Sequence, residues 1–409
     1  MASTLTFQYA VRDKTGKLVT GKIEADSQAA VAQKLKSMGY APVSISKAGG
    51  GGGINKELTL PSLGAKVKLK DLAIFSRQFA TMINAGLSLL RALSILEEQT
   101  DNKELAKTLS EVRQDVETGQ SLSSSLGKHP TIFPPLMVNM TKAGEVGGFL
   151  DAVMLQIAQN YEAETKLRGK VKSAMTYPVV VFCIAILAVT GMLLFIVPVF
   201  ASMFLTLGGQ LPAPTKILIA MSNILKVGAI PLVFIIIGGL ITWGRVKHLE
   251  KVHRVIDPIK LKLPVFGSLF QKIALARFAR NLGTMLQSGV PILQSLDIVA
   301  ETTGNTVVGD AVRDIQTSVR NGESITGPLT GHAVFPPMVV QMMAVGEDTG
   351  ALDAMLHKIA EFYDTEVEAT TEALTALIEP LMIAFLGGII GSMIIALYMP
   401  IFKIFDLIK

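Results

Sequence analysis

The 409-residue chain contains one cysteine, one tryptophan and few aromatics (6%), and only 17% of it is charged, against about 25% in an average soluble domain. The lone thiol, Cys183, excludes an intramolecular disulfide and a cysteine-based metal cluster. Nucleotide chemistry lacks its signature too. There is no G-x-x-x-x-G-K-[ST] loop, since Gly127-Lys128 runs into His129 and Gly16-Lys17 into Leu18. H-E-x-x-H, C-x-x-C and G-x-S-x-G are absent. The N-terminus has neither a basic n-region nor an apolar h-region, so no cleavable signal peptide is expected. These absences argue against an enzyme, and no catalytic, cofactor or metal residues are assigned.

What the chain has in abundance is apolar sequence. Half of its residues are hydrophobic, and the mean hydropathy is +0.46. Ser173–Thr215, Val227–Gly244 and Pro380–Phe402 carry no formal charge, and each exceeds the roughly 17 apolar residues needed to cross a bilayer. No aspartate lies in them, which argues against an intramembrane aspartyl peptidase. The net charge of +5 is placed by topology rather than by nucleic acid. Lys166, Arg168, Lys170 and Lys172 precede the first stretch, and Arg245, Lys247, Lys251, Arg254, Lys260 and Lys262 follow the second. Only Lys216 and Lys226 lie between them, the positive-inside pattern of a chain that goes out and comes back.

An internal repeat organises the remainder. Leu72, Phe75, Arg77, Thr81, Met82, Gly86, Leu90 and Leu93 recur at an offset of 203 as Leu275, Phe278, Arg280, Thr284, Met285, Gly289, Leu293 and Leu296. After one deletion, Phe133-Pro-Pro135, Gly144-Glu145, Gly148 and Asp151 recur as Phe335-Pro-Pro337, Gly346-Glu347, Gly350 and Asp353. The apolar spacing in each copy is helical, so each reads as an all-α bundle of five to seven helices whose last helix leads into the membrane. Span 3 has an acidic flank (Glu366, Glu368, Glu372) that gives the positive-inside rule little purchase. Two parallel copies nevertheless require one return crossing, and span 2 supplies it.

The expected fold class is mainly α: an integral membrane protein with two repeated cytosolic helical bundles, three transmembrane helices and a small N-terminal α+β domain. The expected segments are 1–47, the small domain; 48–69, a Gly-rich linker containing Gly49–Gly53; and 70–172, the first bundle. Then come 173–204, span 1; 205–226, an outer loop; 227–244, span 2; 245–376, the second bundle; 377–402, span 3; and 403–409, an outer tail. Leu5–Val11, Leu18–Ala25 and Val43–Ser46 read as strands, with a turn at Asp13–Gly16 and a helix capped by Asp26 or Ser27.

Several residues are candidates for partner contact or packing. Asp151 and Asp353 fall in the first turn of a helix, where a carboxylate caps free N–H groups. Glu145 and Glu347 could join them in packing, in a partner contact, or as oxygen ligands of a hard cation. Arg77 and Arg280 on apolar helices are expected to bond buried carbonyls or carboxylates, or alternatively a partner. Gly144, Gly148, Gly346 and Gly350 frame these sites. His129 and His332, before the Pro-Pro turns, read as structural. Glu379, beside Pro380, is expected at headgroup depth because its repeat equivalent is Tyr177, with ion coupling the alternative.

The chain resembles the type II secretion system protein F family, the inner-membrane platform proteins of type II secretion and type IV pilus machines. The resemblance is carried by Phe75-Ser-Arg-Gln-Phe-Ala-Thr-Met-Ile-Asn-Ala-Gly86, Gly119-Gln-Ser-Leu122, Phe133-Pro-Pro135 and Gly144-Glu-Val-Gly-Gly-Phe-Leu-Asp151. Tyr177-Pro178, Val197-Pro-Val-Phe200 and Leu207-Gly-Gly-Gln-Leu-Pro-Ala-Pro-Thr215 extend it. It implies a non-enzymatic platform of type IV pilus biogenesis in the bacterial inner membrane, with its N-terminus cytosolic and its C-terminus outside. Implied partners are a cytosolic assembly ATPase, pilin or pseudopilin subunits, other inner-membrane assembly proteins, membrane lipid and further copies of itself, with no nucleic acid. A type II secretion platform handling pseudopilins is the alternative. A small-solute transporter is a remoter one, because the spans offer small packing residues (Thr190, Gly191, Gly387, Gly388, Gly391, Ser392) instead of a polar midplane site.

Overall fold

The computed structural model describes residues 5–12, 18–25, 28–37, 41–47, 66–206, 212–246 and 249–407. Compact units form at Met1–Gly64 and Ala65–Lys409. In the first, β1 (Leu5–Arg12), β2 (Leu18–Ala25) and β3 (Ala41–Lys47) make an antiparallel sheet of order β2-β1-β3. Helix α1 (Gln28–Ser37) buries Val31 and Leu35, one turn apart, with Ile23 and Ala25 of β2 packed beside them. The expected turn at 13–16, the caps at 26–27 and residues 48–65 of the expected 48–69 linker lie outside the described residues.

All described elements of the second unit are helical. The first copy comprises α2 (Leu69–Asn84), α3 (Leu89–Gln99), α4 (Lys103–Glu117), α5 (Leu122–Gly127), α6 (Pro135–Gly147) and α7 (Leu150–Gly191). A π turn at Met192–Ile196 leads to α8 (Val197–Thr206), followed by α9 (Ala213–Val246) and α10 (Glu250–Lys262). The second copy comprises α11 (Phe266–Gln287), α12 (Ile292–Thr302), α13 (Thr306–Arg320), α14 (Thr326–Leu329), α15 (Pro337–Thr349) and α16 (Leu352–Leu407).

Local chemistry sets the same punctuation in both copies. Asn102 and Asn305 cap α4 and α13 through their side-chain oxygens, each accepting from two backbone N–H groups. Pro135 and Pro337 start α6 and α15 at the first helical position, where a missing N–H is harmless. Those helices end on Gly148 (φ 77°) and Gly350 (φ 69°), in the left-handed region that a Cβ disfavours. Gly144 and Gly346 allow the returning helix to pass close by. A Cβ at Gly144 would lie 3.1 Å from Val153, and one at Gly346 would lie 3.0 Å from the Leu352 backbone.

The two copies share one core, although the sequence read them as separate bundles. Phe75, Phe79 and Phe133 of the first copy and Phe278, Leu282 and Phe335 of the second belong to a single buried cluster. Phe75 lies 6.1 Å from Phe133, and the equivalent Phe278 lies 5.2 Å from Phe335. Periodicity reports which face of a helix is apolar, not which neighbour covers it.

Helices α7 and α16 run from this core without a break into apolar sequence. Leu150–Met203 and Leu352–Pro400 are, by length and composition, able to cross a membrane. Helix α9 begins at Ala213, earlier than the expected start of span 2 near Val227, because Lys216 and Lys226 interrupt the apolar run without interrupting the helix. Leu193, Val197, Leu218, Met393, Ala396 and Leu397 form a second cluster joining the π turn, α8, α9 and α16.

Candidate functional site

The polar part of the seam between the copies lies where α7 meets α11, which run in opposite directions. Gln156, Asn160 and Glu164 project from α7 at four-residue intervals and so share one face. Ser288, just after α11, donates to the Gln156 amide oxygen. Asn160 Nδ2 donates to Asn281 (3.2 Å) and to Thr284 (3.3 Å). Glu164 meets Arg277 Nη2 at 2.6 Å and lies 3.9 Å from Arg280 Nη1. Arg168 adds its Nε at 2.6 Å. One nearly buried carboxylate thus serves three guanidiniums, and Arg280 gains a second counter-ion in Asp364 of α16.

The two copies differ in a systematic way here. Arg77 pairs with Glu162 on α7 at 2.6 Å, as the equivalent Arg280 pairs with Asp364 on α16. The first pair is about 40% exposed, whereas Arg280 is buried at the seam. The hydrogen bonds from Arg77 hold the Glu162 carboxyl below its ordinary range, outweighing a smaller upward push from desolvation. Lysines of both copies meet glutamates of α16. Lys170 of α7 pairs with Glu368 of α16, and Lys272 of α11 meets Glu366 at 2.8 Å. Two of the three glutamates flanking span 3, Glu366 and Glu368, are thus paired with lysines of neighbouring helices. Sequence reasoning missed Glu164, Asn160, Gln156 and Arg277. Of the four, only Glu164 has an identical residue, Glu366, at its repeat position.

The remaining expected site residues fall as follows. Glu145 accepts from the backbone N–H groups of Leu122 and Ser123 and from the Ser123 hydroxyl. Glu347 likewise accepts from Ile325 N–H at 2.7 Å and from the Thr326 hydroxyl. Each glutamate caps the short helix 22 residues earlier in the chain, α5 or the start of α14, and is not joined by Asp151 or Asp353. Those aspartates occupy the first turns of α7 and α16. Among the described residues no cluster of three or more potential ligand side chains could hold a metal ion. His129 lies 3.7 Å from Glu111, and His332 lies 2.9 Å from the equivalent Asp314. Glu379 is exposed on α16, next to Pro380.

A further site joins α10 to the second copy. Asp257 of α10, nearly inaccessible, accepts from Lys260 at 2.9 Å and from the Thr306 N–H at 3.1 Å, which ties α10 to the start of α13. Burial pushes the Asp257 carboxyl up, but these hydrogen bonds, together with the charges of Lys260 and His253, outweigh it and hold the group below its usual value.

Comparison with known proteins places this architecture. The family model described as type II secretion system, protein F, matches residues 75–198 and again 278–400, and the N-terminal domain model of that family matches 1–46. The chain is 45% identical to the type IV pilus assembly protein PilC of Thermus thermophilus, over 97% of this chain and 98% of that one. It is 42% identical to PilC of Myxococcus xanthus, over 98% and 95%. It is 32% identical to the type II secretion system protein F of Pseudomonas aeruginosa, over 98% and 99%. With the family model met twice, once on each copy, and relatives matched from end to end, the chain belongs to the type II secretion system protein F family.

Proposed function

We propose that the protein is the non-enzymatic inner-membrane platform of a type IV pilus machine, coupling a cytosolic assembly ATPase to the lifting of pilins into the fibre. The reading rests above all on one observation: each copy's last helix passes unbroken from the shared helical core into an apolar segment. A displacement imposed on the core is thereby transmitted along a stiff helix, with no loop to absorb it. The higher identities to pilus assembly proteins, 45% and 42% against 32% for a secretion protein F, favour the pilus branch.

The topology proposed is three crossings, with α9 as the return between α7 and α16, and both copies in the cytosol. It is supported by the packing of α9 against the other two apolar helices, including the bond from the Thr215 hydroxyl to the Ala396 carbonyl at 2.5 Å. Candidate partner surfaces are the exposed ones. Val146 and Val345, beside the Glu145 and Glu347 caps, are 85% and 54% exposed, which suits contact with the ATPase. The test is pull-down of the assembly ATPase by the full chain, with fibre counts in a deletion strain. Val146→Asp and Val345→Asp together should abolish both while leaving the protein in the membrane. Intact ATPase binding and piliation would refute the docking, and ion flux in proteoliposomes would favour a transporter.

A further inference from the structure

We propose that the groove between α7 and α11, where α7 leaves the helical core, is a binding site for one anionic phospholipid. The groove has a volume of about 460 Å³ and is walled by Val171, Met175, Val179 and Ile273, with Arg168, Lys172 and Arg277 at its polar end. On α7 the residues Arg168, Lys172, Met175 and Val179 repeat at helical spacing and so form one continuous face, charged above and apolar below. Lys172 is the last charge before the apolar stretch, which puts the polar end at headgroup depth if α7 crosses the bilayer there. Val179 and Val180 are 55% and 49% exposed, so the apolar end opens toward the hydrocarbon.

Charge selects the occupant. Three cationic side chains face one carboxylate, Glu164, which is already shared between Arg168 and Arg277. The surplus is positive. Glu164 engages the Nε of Arg168, whose side chain is 59% exposed, so the outer face of that guanidinium is presented at the mouth of the groove. An acyl chain with a phosphate at its end matches the order of apolar wall and charges along the groove. A lipid wedged here would brace the seam at the point where motion passes from the core to α7.

The experiment uses the full chain, purified in detergent and titrated with phosphatidylglycerol or phosphatidylcholine of identical acyl chains, read by native mass spectrometry. Phosphatidylglycerol should bind the more tightly. Each basic side chain contributes about 5-fold, so the Arg168→Gln/Lys172→Gln double variant should lose about 25-fold and bind both lipids alike. Met175→Trp, which fills the apolar wall and leaves the charges in place, should weaken both lipids; it keeps the test decisive if the double variant misfolds. Equal binding of the two lipids by the parent protein, or an unchanged double variant, overturns the proposal. So does displacement by millimolar inorganic phosphate, which would identify a free-phosphate site. In a Cys183→Ser background, Met175→Cys should be shielded from maleimide by phosphatidylglycerol vesicles; preferential crosslinking to a pilin in cells would assign the groove to that helix instead. Recovery of the chain without membranes would refute the crossing of α7, a separate failure.

Discussion

Glu164 and Glu366 occupy the same repeat position, and replacing each by glutamine gives a controlled measure of what the seam contributes. The Glu164 side chain is 10% exposed and serves Arg168, Arg277 and Arg280. Glu366 is 38% exposed and serves Lys272 alone. Removing one partner from a buried ion pair typically costs about 3–5 kcal/mol, because the other charge is left without compensation. Arg280 keeps Asp364, and Arg168 has access to solvent, so the low end applies to Glu164→Gln, about 3 kcal/mol. Glu366→Gln breaks an exposed pair, worth under about 1 kcal/mol. At 1.4 kcal/mol per decade, the first change should raise opening of the α7–α11 seam about 100-fold and the second less than about 5-fold. Hydrogen–deuterium exchange of the full chain in nanodiscs reads this directly in peptides covering 156–167 and 277–288. If the two variants lose protection equally, or Glu164→Gln loses less than about 3-fold, the seam is not held by this carboxylate.

Other substitutions test the local geometry. A Cβ at Gly267 would lie 2.2 Å from the Leu261 carbonyl oxygen, so Gly267→Ala should cost more than about 2 kcal/mol, seen as a lower unfolding temperature. Gly169, inside α7 with nothing within 4 Å of its missing Cβ, should tolerate alanine and gain up to about 1 kcal/mol from helix propensity. Glu145→Ala strands the N–H groups of Leu122 and Ser123 and should cost about 1–3 kcal/mol, with exchange rising first in α5. The Asp257 carboxyl is held below its unfolded value, so its contribution is complete above about pH 4 and is lost as pH falls through the lower, folded value. Denaturant titrations between neutral pH and about pH 3 should show this acid-side loss in the parent chain, and Asp257→Asn should lack it.

Much of the molecule is legible from residue order, because the signals concerned are local or repetitive. Helix starts at Asn102, Asn305 and the Pro-Pro pairs depend on atoms within one turn. The apolar character of α7 and α16 is a property of composition, and the duplication is carried by matched residues such as Arg77 and Arg280. Family membership follows from the same string of residues. The seam was hidden because its members, Gln156, Asn160 and Glu164 against Ser288, Asn281 and Arg277, lie more than a hundred positions apart and belong to different copies. Nothing local distinguishes Glu164 from Glu366 or Arg280 from Arg77. Identical side chains at equivalent positions acquired different burial and different counter-ions because two similar bundles packed against each other asymmetrically. That choice is made by long-range contact between helix faces, and periodicity within one helix carries no record of it.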